Sequence, residues 1–296
     1  MRIAVTGKSG QIVTALRERG RAIGHDVIAL GRPELDLADS VSIAHALEVA
    51  VPDVIVSAAA YTAVDRAEQE RSLAFAVNGT GAGAVARAAK ALGVPLVHLS
   101  TDYVFDGRLD RPYLETDTTA PTGAYGASKL AGEQAVLTEY GDNSAVLRVA
   151  WVYSPFGSNF VKTMLRLAGD RNEVSVVADQ IGNPTSAMDI SNGILVVSEN
   201  LAKHEDAALR GVFHMTASGE ATWAGFARAI FATSAAQGGH SARVKSIATS
   251  DYPTEAIRPA NSRLDCSLIK RVHGVALPDW RTSLEAVVGR LQSTFV

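Results

Sequence analysis

Cysteine is almost missing from this chain. Cys266 is the only one among 296 residues, which excludes an internal disulfide and a cysteine-based zinc site and fits a reducing compartment. Histidine is sparse and scattered, seven in all, with no HExxH or comparable metal spacing. No sign of charge is in excess. The 28 Lys and Arg against 31 Asp and Glu leave a net charge of −3, without the concentration of cations on one face that nucleic-acid binders carry. Long apolar runs are lacking too: none approaches the roughly 20 residues that span a bilayer. The apolar start at residues 3–5 is too short for a signal-peptide core, because Gly7, Lys8 and Gly10 follow at once. These absences predict a cytoplasmic protein with no membrane or nucleic-acid partner and no metal.

What is present is an ordinary globular composition, 47% hydrophobic and 20% charged, well away from the disordered class. A chain this long buries roughly three quarters of its unfolded surface and needs no staple. In the first half, short apolar runs at 2–6, 26–30, 53–57, 95–99 and 145–149 lack polar alternation and read as buried parallel strands. Helical patterns lie between them at 11–19, 39–50 and 73–92, the last Ala-rich and closed by Gly93 and Pro95. Strand, helix, strand repeated about every 25–30 residues predicts right-handed crossovers and a doubly wound parallel α/β sheet of the Rossmann type. The second half is less regular, with helices at 160–168, 189–201, 222–233 and near 282–291, and strands at 174–177 and 212–215. The expected division is a dinucleotide-binding Rossmann domain over 1–149, joined by part of 186–215, and a smaller substrate lobe mainly over 150–296.

Three places carry chemistry. The first is Gly7-Lys8-Ser9-Gly10-Gln11-Ile12-Val13, directly after the first strand and opening the first helix. Glycines there let backbone N–H groups approach a pyrophosphate, and the helix N-terminus adds partial positive charge. The GxxGxxG pattern wants a third glycine where this chain has Val13, which should push the helix slightly outward without removing a phosphate donor. The second is the end of strand two, Leu30-Gly31-Arg32. An acid there suits the ribose hydroxyls of NAD and an arginine the 2′-phosphate of NADP, so Arg32 points to NADPH, with NADH possible; the plain alternative is a solvated surface arginine. Asp36 and Leu37 follow, Asp36 either reaching the adenine or capping a turn.

The third and strongest is Tyr125-Gly126-Ala127-Ser128-Lys129. Positions i and i+4 share a helix face, and an ammonium beside a phenol stabilises the phenolate and lowers the Tyr pKa toward the working pH. Such a Tyr protonates a carbonyl oxygen as hydride arrives at its carbon. Thr101, at the C-terminal end of strand four, lies where ligands of open α/β sheets bind, close to Leu99. Ala58, Ala59, Ala60 and Thr62 end strand three with small side chains, which either let a cofactor lie flat or pack a core. Asp102, Tyr103, Trp151 and Arg258 are substrate-side candidates for hydrogen bonding, stacking and phosphate pairing; for Trp151 the alternative is a core tryptophan. His98 reads as a satisfied core histidine.

GKSGQ at 7–11, SAAAYTAVDRAE at 57–68, STDYVFDG at 100–107 and PTGAYGASKLAGE at 121–133 resemble the extended short-chain dehydrogenase/reductase superfamily. With RVAWVY at 148–153, DQIGNPT at 179–185, RPANSRLD at 258–265 and LPDW at 277–280, the resemblance narrows to the dTDP-4-dehydrorhamnose reductase family. Ser57, where relatives often carry Asn, Val13 and Gly31 depart from the pattern. The resemblance implies reduction of the 4-keto group of dTDP-4-dehydro-L-rhamnose by NAD(P)H. It makes Tyr125 the proton donor, tuned by Lys129, which also grips the nicotinamide ribose, and by Thr101. Val64, Asp65, Thr101, Asp102, Tyr103 and Trp151 would line the nucleotide sugar, with Arg258 and Asn261 toward the diphosphate. Some relatives are metal-bridged dimers; no bridging carboxylates stand out here, so a monomer or homodimer without metal is expected. Two alternatives share the resemblance. One is a nucleotide-sugar epimerase or dehydratase, which in the dehydratase case wants an acid after Thr101-Asp102, where this chain has Tyr103. The other is a non-catalytic regulatory subunit resembling that of methionine adenosyltransferase, which would have no use for an intact Thr101, Tyr125 and Lys129 set.

Overall fold

The apolar runs of the first half become five parallel strands: β1 (Arg2–Thr6), β2 (Asp26–Leu30), β3 (Val54–Ser57), β4 (Leu96–Thr101) and β5 (Ser144–Val149). A sixth strand, Gly211–His214, completes the sheet, whose order is Gly211–His214, β5, β4, β3, β1, β2. Every pairing in it is parallel. This computed structural model describes residues 1–293. β4 runs two residues beyond the expected 95–99 because its pairing with β5 continues through Thr101↔Val149, which fixes Ser100 and Thr101 on the sheet rather than in a loop.

The chain leaves β2 at one edge and crosses β1 to reach β3, so the strand order reverses between β1 and β3. In open α/β sheets that reversal leaves a crevice at the carboxyl ends of the strands. Helices cover both faces: α1 (Gln11–Ala22), α2 (Ser40–Ala50), α3 (Arg66–Gln69), α4 (Arg71–Phe75), α5 (Gly81–Leu92) and α6 (Ala124–Tyr140). Asp39 caps α2 by accepting from the Val41 N–H. The expected helix at 73–92 is interrupted by one π-helical turn, Ala76–Thr80. The extra residue brings buried Asn78 to the Tyr61 backbone, accepting from its N–H at 2.7 Å and donating to its carbonyl at 3.0 Å, and also to the Ser128 hydroxyl on α6. Helical turns of this kind often mark functional sites.

The second half supplies α7 (Phe160–Asp170), α8 (Ala187–Lys203), α9 (Trp223–Ala236), α10 (Ser267–His273) and α11 (Trp280–Ser293). Ile190, Ile194 and Leu201 of α8 pack in one core with Val13 and Leu16 of α1 and the sheet residues Ile3, Val56 and Leu147. A separate core of Val161, Met164, Phe226, Phe231, Trp280 and Leu284 holds α7, α9 and α11 together. Parallel strands Glu173–Val177 and Arg243–Ile247 lie beside it. The second of these has a mostly exposed, mixed-polarity sequence, and α10 is only seven residues; neither carries the periodicity by which a segment is recognised in sequence. No described helix is long and apolar enough to cross a membrane.

α6 crosses the π turn at touching distance. A Cβ on Gly132 would stand 2.1 Å from the Asn78 carbonyl oxygen, whereas one on Gly141, at the helix end, meets nothing nearer than 3.8 Å. Gly132→Ala is therefore expected to destabilise by about 1–3 kcal/mol through overpacking. Gly141→Ala, at an ordinary helical conformation, should be neutral or gain up to about 1 kcal/mol. Thermal unfolding of the two variants checks the contrast; equal melting points would show that α6 does not approach so closely.

Candidate active site

β1 ends in a turn that only glycine accommodates. Gly7 has φ of 104°, and a Cβ there would press against Val13 Cγ2 at 3.2 Å and Ala59 Cβ at 3.4 Å. Val13 is buried, so the residue that departs from the glycine pattern fills the space over Gly7. Gly10 caps α1 without any side-chain bond, and the first turn carries no acid, leaving its N–H groups and dipole for an anion. The Gln11 side chain is occupied elsewhere, accepting from Ser154 and Asn159. Across the strand-order reversal, the Ala58 and Ala59 N–H groups both donate to the Thr6 hydroxyl at 3.0 Å, which pins the turn after β3 to the end of β1.

Gly7 through Ile12, Arg32, Asp36, Leu37, Ala58–Ala60, Thr62, Val64, Leu99, Thr101, Asp102, Tyr103, Tyr125, Lys129 and Trp151 all line one cleft of about 1120 Å³. Ligand pockets commonly run about 300–1,000 Å³, so this one has room for a dinucleotide and a second ligand. Arg32 is exposed on its rim. Lys8 lies against buried Gly31 and pairs with Glu34, an acid that inspection of the strand end alone does not bring into view. Asp36 uses Oδ1 to accept from the Ala38 N–H at 3.0 Å, which makes it a turn cap as well as a cleft residue.

Thr101, Tyr125 and Lys129 stand where β4 meets α6. Glu68 of α3 accepts from the Ala124 N–H at 2.7 Å, capping the helix that Gly123 leaves without a side-chain cap. Lys129 is buried and donates to the Leu99 carbonyl at 2.6 Å. Burial pulls its ammonium down to about 8, with Glu133 opposing. Burial also pushes the Tyr125 phenol up to about 12, with Thr101 hydrogen bonding opposing and Asp102 reinforcing. The expectation of a lowered phenol is not met: desolvation outweighs the Thr101 hydrogen bond, Asp102 adds to it, and Tyr125 stays protonated. Tyr103 packs edge-on against Tyr125, with ring centres 5.7 Å apart. Asp102 is buried, accepts from the Thr101 hydroxyl at 2.9 Å and leaves Oδ2 without a partner among the described residues. Desolvation raises it to about 6, opposed by the nearby Ser262 and Thr101 hydroxyls.

Trp151 adopts φ of 46°, a left-handed conformation that costs a bulky residue energy. Stacking on Trp223, with centres 3.6 Å apart and planes within 6°, holds it there, and any Cβ on Gly182 would collide with its ring. It is a cleft residue and a half-buried packing residue at once. His98 bonds Ser57 at 3.1 Å through Nδ1, but its Nε2 has no partner among the described residues, so it is only half satisfied; burial and then Lys129 keep it neutral.

Three expected residues do not line the cleft. Asp65 accepts from the Ala256 N–H and from Arg258 Nη2 at 2.7 Å, so Asp65 and Arg258 are engaged with each other, while Arg258 Nη1 is buried without a partner among the described residues. Buried Asn261 donates to the Leu109 and Arg111 carbonyls and accepts from Arg263; its side chain holds a loop. Sequence reasoning passed over Tyr61, Arg66, Glu70, Gly157 and Ser158, which line the cleft together with Ser100. Ser100 adjoins Thr101 and was legible as its neighbour; Gly157 and Ser158 come from the second half, where no pattern pointed to them.

A profile of the family described as the RmlD substrate binding domain matches residues 1–293. The chain is 50% identical to a dTDP-4-dehydrorhamnose reductase of Sinorhizobium fredii over 98% of each chain. Among solved structures it is similar to a dTDP-4-dehydrorhamnose reductase from Clostridium acetobutylicum, with a TM-score of 0.91 and 33% identity over 99% of this chain and 100% of that one. It is also similar to the Bacillus anthracis dTDP-4-dehydrorhamnose reductase in complex with NADP, with a TM-score of 0.90 and 35% identity over 97% and 98% of the two chains.

The environment of Asp102 is directly measurable. Carboxyl-carbon NMR should give its midpoint at about 6, with the resonance lost in Asp102→Asn. A midpoint near the ordinary Asp value of about 4 would show the site to be wetter than the structure indicates.

Proposed function

Since the chain belongs to the RmlD substrate binding domain family, we infer that it reduces the 4-keto group of dTDP-4-dehydro-L-rhamnose with NADPH, giving dTDP-L-rhamnose. The observation that carries this reading is the convergence, in one cleft, of a phosphate-binding glycine turn and a Tyr125–Lys129 pair beside Thr101. The glycine turn, Arg32, the small residues Ala58–Ala60 and Thr62 fit a dinucleotide: a Cβ at Gly7 would already crowd the turn, and the uncapped start of α1 offers its N–H groups to a pyrophosphate. Bound NADPH supplies the hydride. Leu99 and Lys129 lie where the nicotinamide ribose would rest, and Asp36 and Leu37 flank the adenine end.

Tyr125 holds the proton that the sugar oxygen needs. Its phenol stays protonated far above neutrality, so it waits as an acid, and the buried Lys129 ammonium stabilises the phenolate left after donation. Thr101 orients the phenol. Val64, Asp102, Tyr103 and Trp151 form the sugar side, with the unpartnered Asp102 Oδ2 free to accept from a sugar hydroxyl; Asp65 and Arg258 close its outer edge, and Arg258 Nη1 is available to a diphosphate oxygen. The reading carries with it a cytoplasmic enzyme, a monomer or homodimer, that makes activated rhamnose for polysaccharide.

NADPH oxidation against a small panel of dTDP-4-ketosugars tests the assignment. Tyr125→Phe should cut turnover by about 10²–10⁴-fold while cofactor affinity stays nearly intact; a variant retaining most of the wild-type rate would remove Tyr125 from the acid's role. NADPH should be preferred over NADH by about tenfold, because an exposed guanidinium pairs with the 2′-phosphate at about 1–1.5 kcal/mol. Rising salt should shrink the preference, and Arg32→Ala should erase most of it. Kinetics with both cofactors at two ionic strengths decide the matter, and an Arg32→Ala variant with undiminished NADPH preference would contradict it.

A further inference from the structure

Behind Lys129 lies a second set of charges for which hydride transfer has no evident use. Tyr125, Lys129 and Glu133 recur at intervals of four along α6, so they share one helix face. Glu133 and its partner Arg148 are both buried, at 2% and 4% exposure. The carboxylate accepts from Arg148 Nε at 2.9 Å and Nη2 at 2.7 Å, and from the Ser100 hydroxyl. Leu99, whose carbonyl accepts from Lys129, precedes Ser100 directly. The lysine and the glutamate thus grip successive residues of β4.

Glu133 is the carboxylate that acts on Lys129 in this cluster. His98, facing Lys129 from β4, is kept neutral by burial and by Lys129 itself. His214, 3.4 Å from Arg148 Nη1, is lowered to about 3 by burial and then by Arg148. Tyr125 stays protonated, and Glu115, on the far side near Arg148, is raised by burial. Two buried cations therefore face one carboxylate. As a stabilising device such a pair is weak, because replacing a buried ion pair with apolar side chains is often neutral or favourable.

We propose that Glu133 is a positioning residue for Lys129: anchored by Arg148, it holds the ammonium charged inside the cleft. The proposal rests on Lys129 acting as a cation there, and it deepens that reading. Burial opposes the charged lysine, and Glu133 is the group that counters it. An opposite charge at close range shifts a titration by about 1–3 units; sharing of the carboxylate with Arg148 places the effect near one unit.

The test follows the Lys129 side chain itself. Lysine labelled with carbon-13 at Cε is titrated by NMR in the unliganded full chain, with the Lys129 resonance assigned by its loss in Lys129→Met. Glu133→Gln alone strands a buried guanidinium and costs stability whatever it does to the lysine, so the deciding variant is Glu133→Gln with Arg148→Met, which removes both charges. The expected result is a melting temperature near wild type, a Lys129 midpoint about one unit lower, and an alkaline limb of turnover displaced in the same direction. A folded double variant whose Lys129 titrates with the wild type would overturn the proposal, since a merely structural pair leaves that midpoint in place. Failure of the wild-type chain to reduce any dTDP-4-ketosugar would instead overturn the reductase reading and leave the titration result standing.

Discussion

A buried ammonium is costly to keep charged, and this fold commits several elements to keeping one. The Lys129 side chain leaves α6, passes into the sheet and donates to the Leu99 carbonyl at the end of β4. That bond sets the separation of α6 from β4, and with it the place of Tyr125 one turn earlier and of Thr101 two residues beyond Leu99. Around it the chain makes close approaches that tolerate no added methyl: Gly126 against the Tyr103 carbonyl and Gly132 against the Asn78 carbonyl. Glu68 caps the helix and Asn78 ties the loop after β3 to it. A phenol buried in the same cleft stays protonated.

Much of that arrangement can be read from sequence because it depends on spacing. A spacing of four from Tyr125 to Lys129 determines a shared helix face, and the apolar run before Ser100-Thr101 determines a strand end; neither requires knowledge of distant partners. The glycine turn is legible for the same reason. What escaped depends on residues far apart. The π turn at Ala76–Thr80 exists to bring Asn78 to Tyr61 and Ser128, and nothing in an Ala-rich helix announces it. Arg258 and Asn261 carry recognisable side-chain chemistry, yet Asn261 is consumed by loop carbonyls at Leu109 and Arg111. The phenol's titration was misjudged because the sequence displays the neighbouring charge and conceals the desolvation.

The second half contributes rigidity where the cleft needs it. Trp151 sits in a left-handed conformation that its own backbone disfavours, and the Trp223 stack and the narrow passage beside Gly182 hold it there. Gln11 reaches from the start of α1 to Ser154 and Asn159, so the glycine turn and the second half of the chain share one hydrogen-bonded seam. Strain at Trp151 and an unpartnered oxygen on Asp102 both fall in the lining of the cleft. Local costs of this kind concentrate where a ligand is to be held.

A reductase differs from an epimerase of the same fold in that hydride leaves the cofactor for good. The most direct measurement supplies NADPH carrying deuterium at both C4 positions of the nicotinamide, together with dTDP-4-dehydro-L-rhamnose. The account predicts one NADPH oxidised per dTDP-L-rhamnose formed, with a single deuterium on C4 of the sugar. Product formed with only a catalytic quantity of cofactor, or a sugar without deuterium at C4, would contradict it and point to the retained-cofactor chemistry of an epimerase.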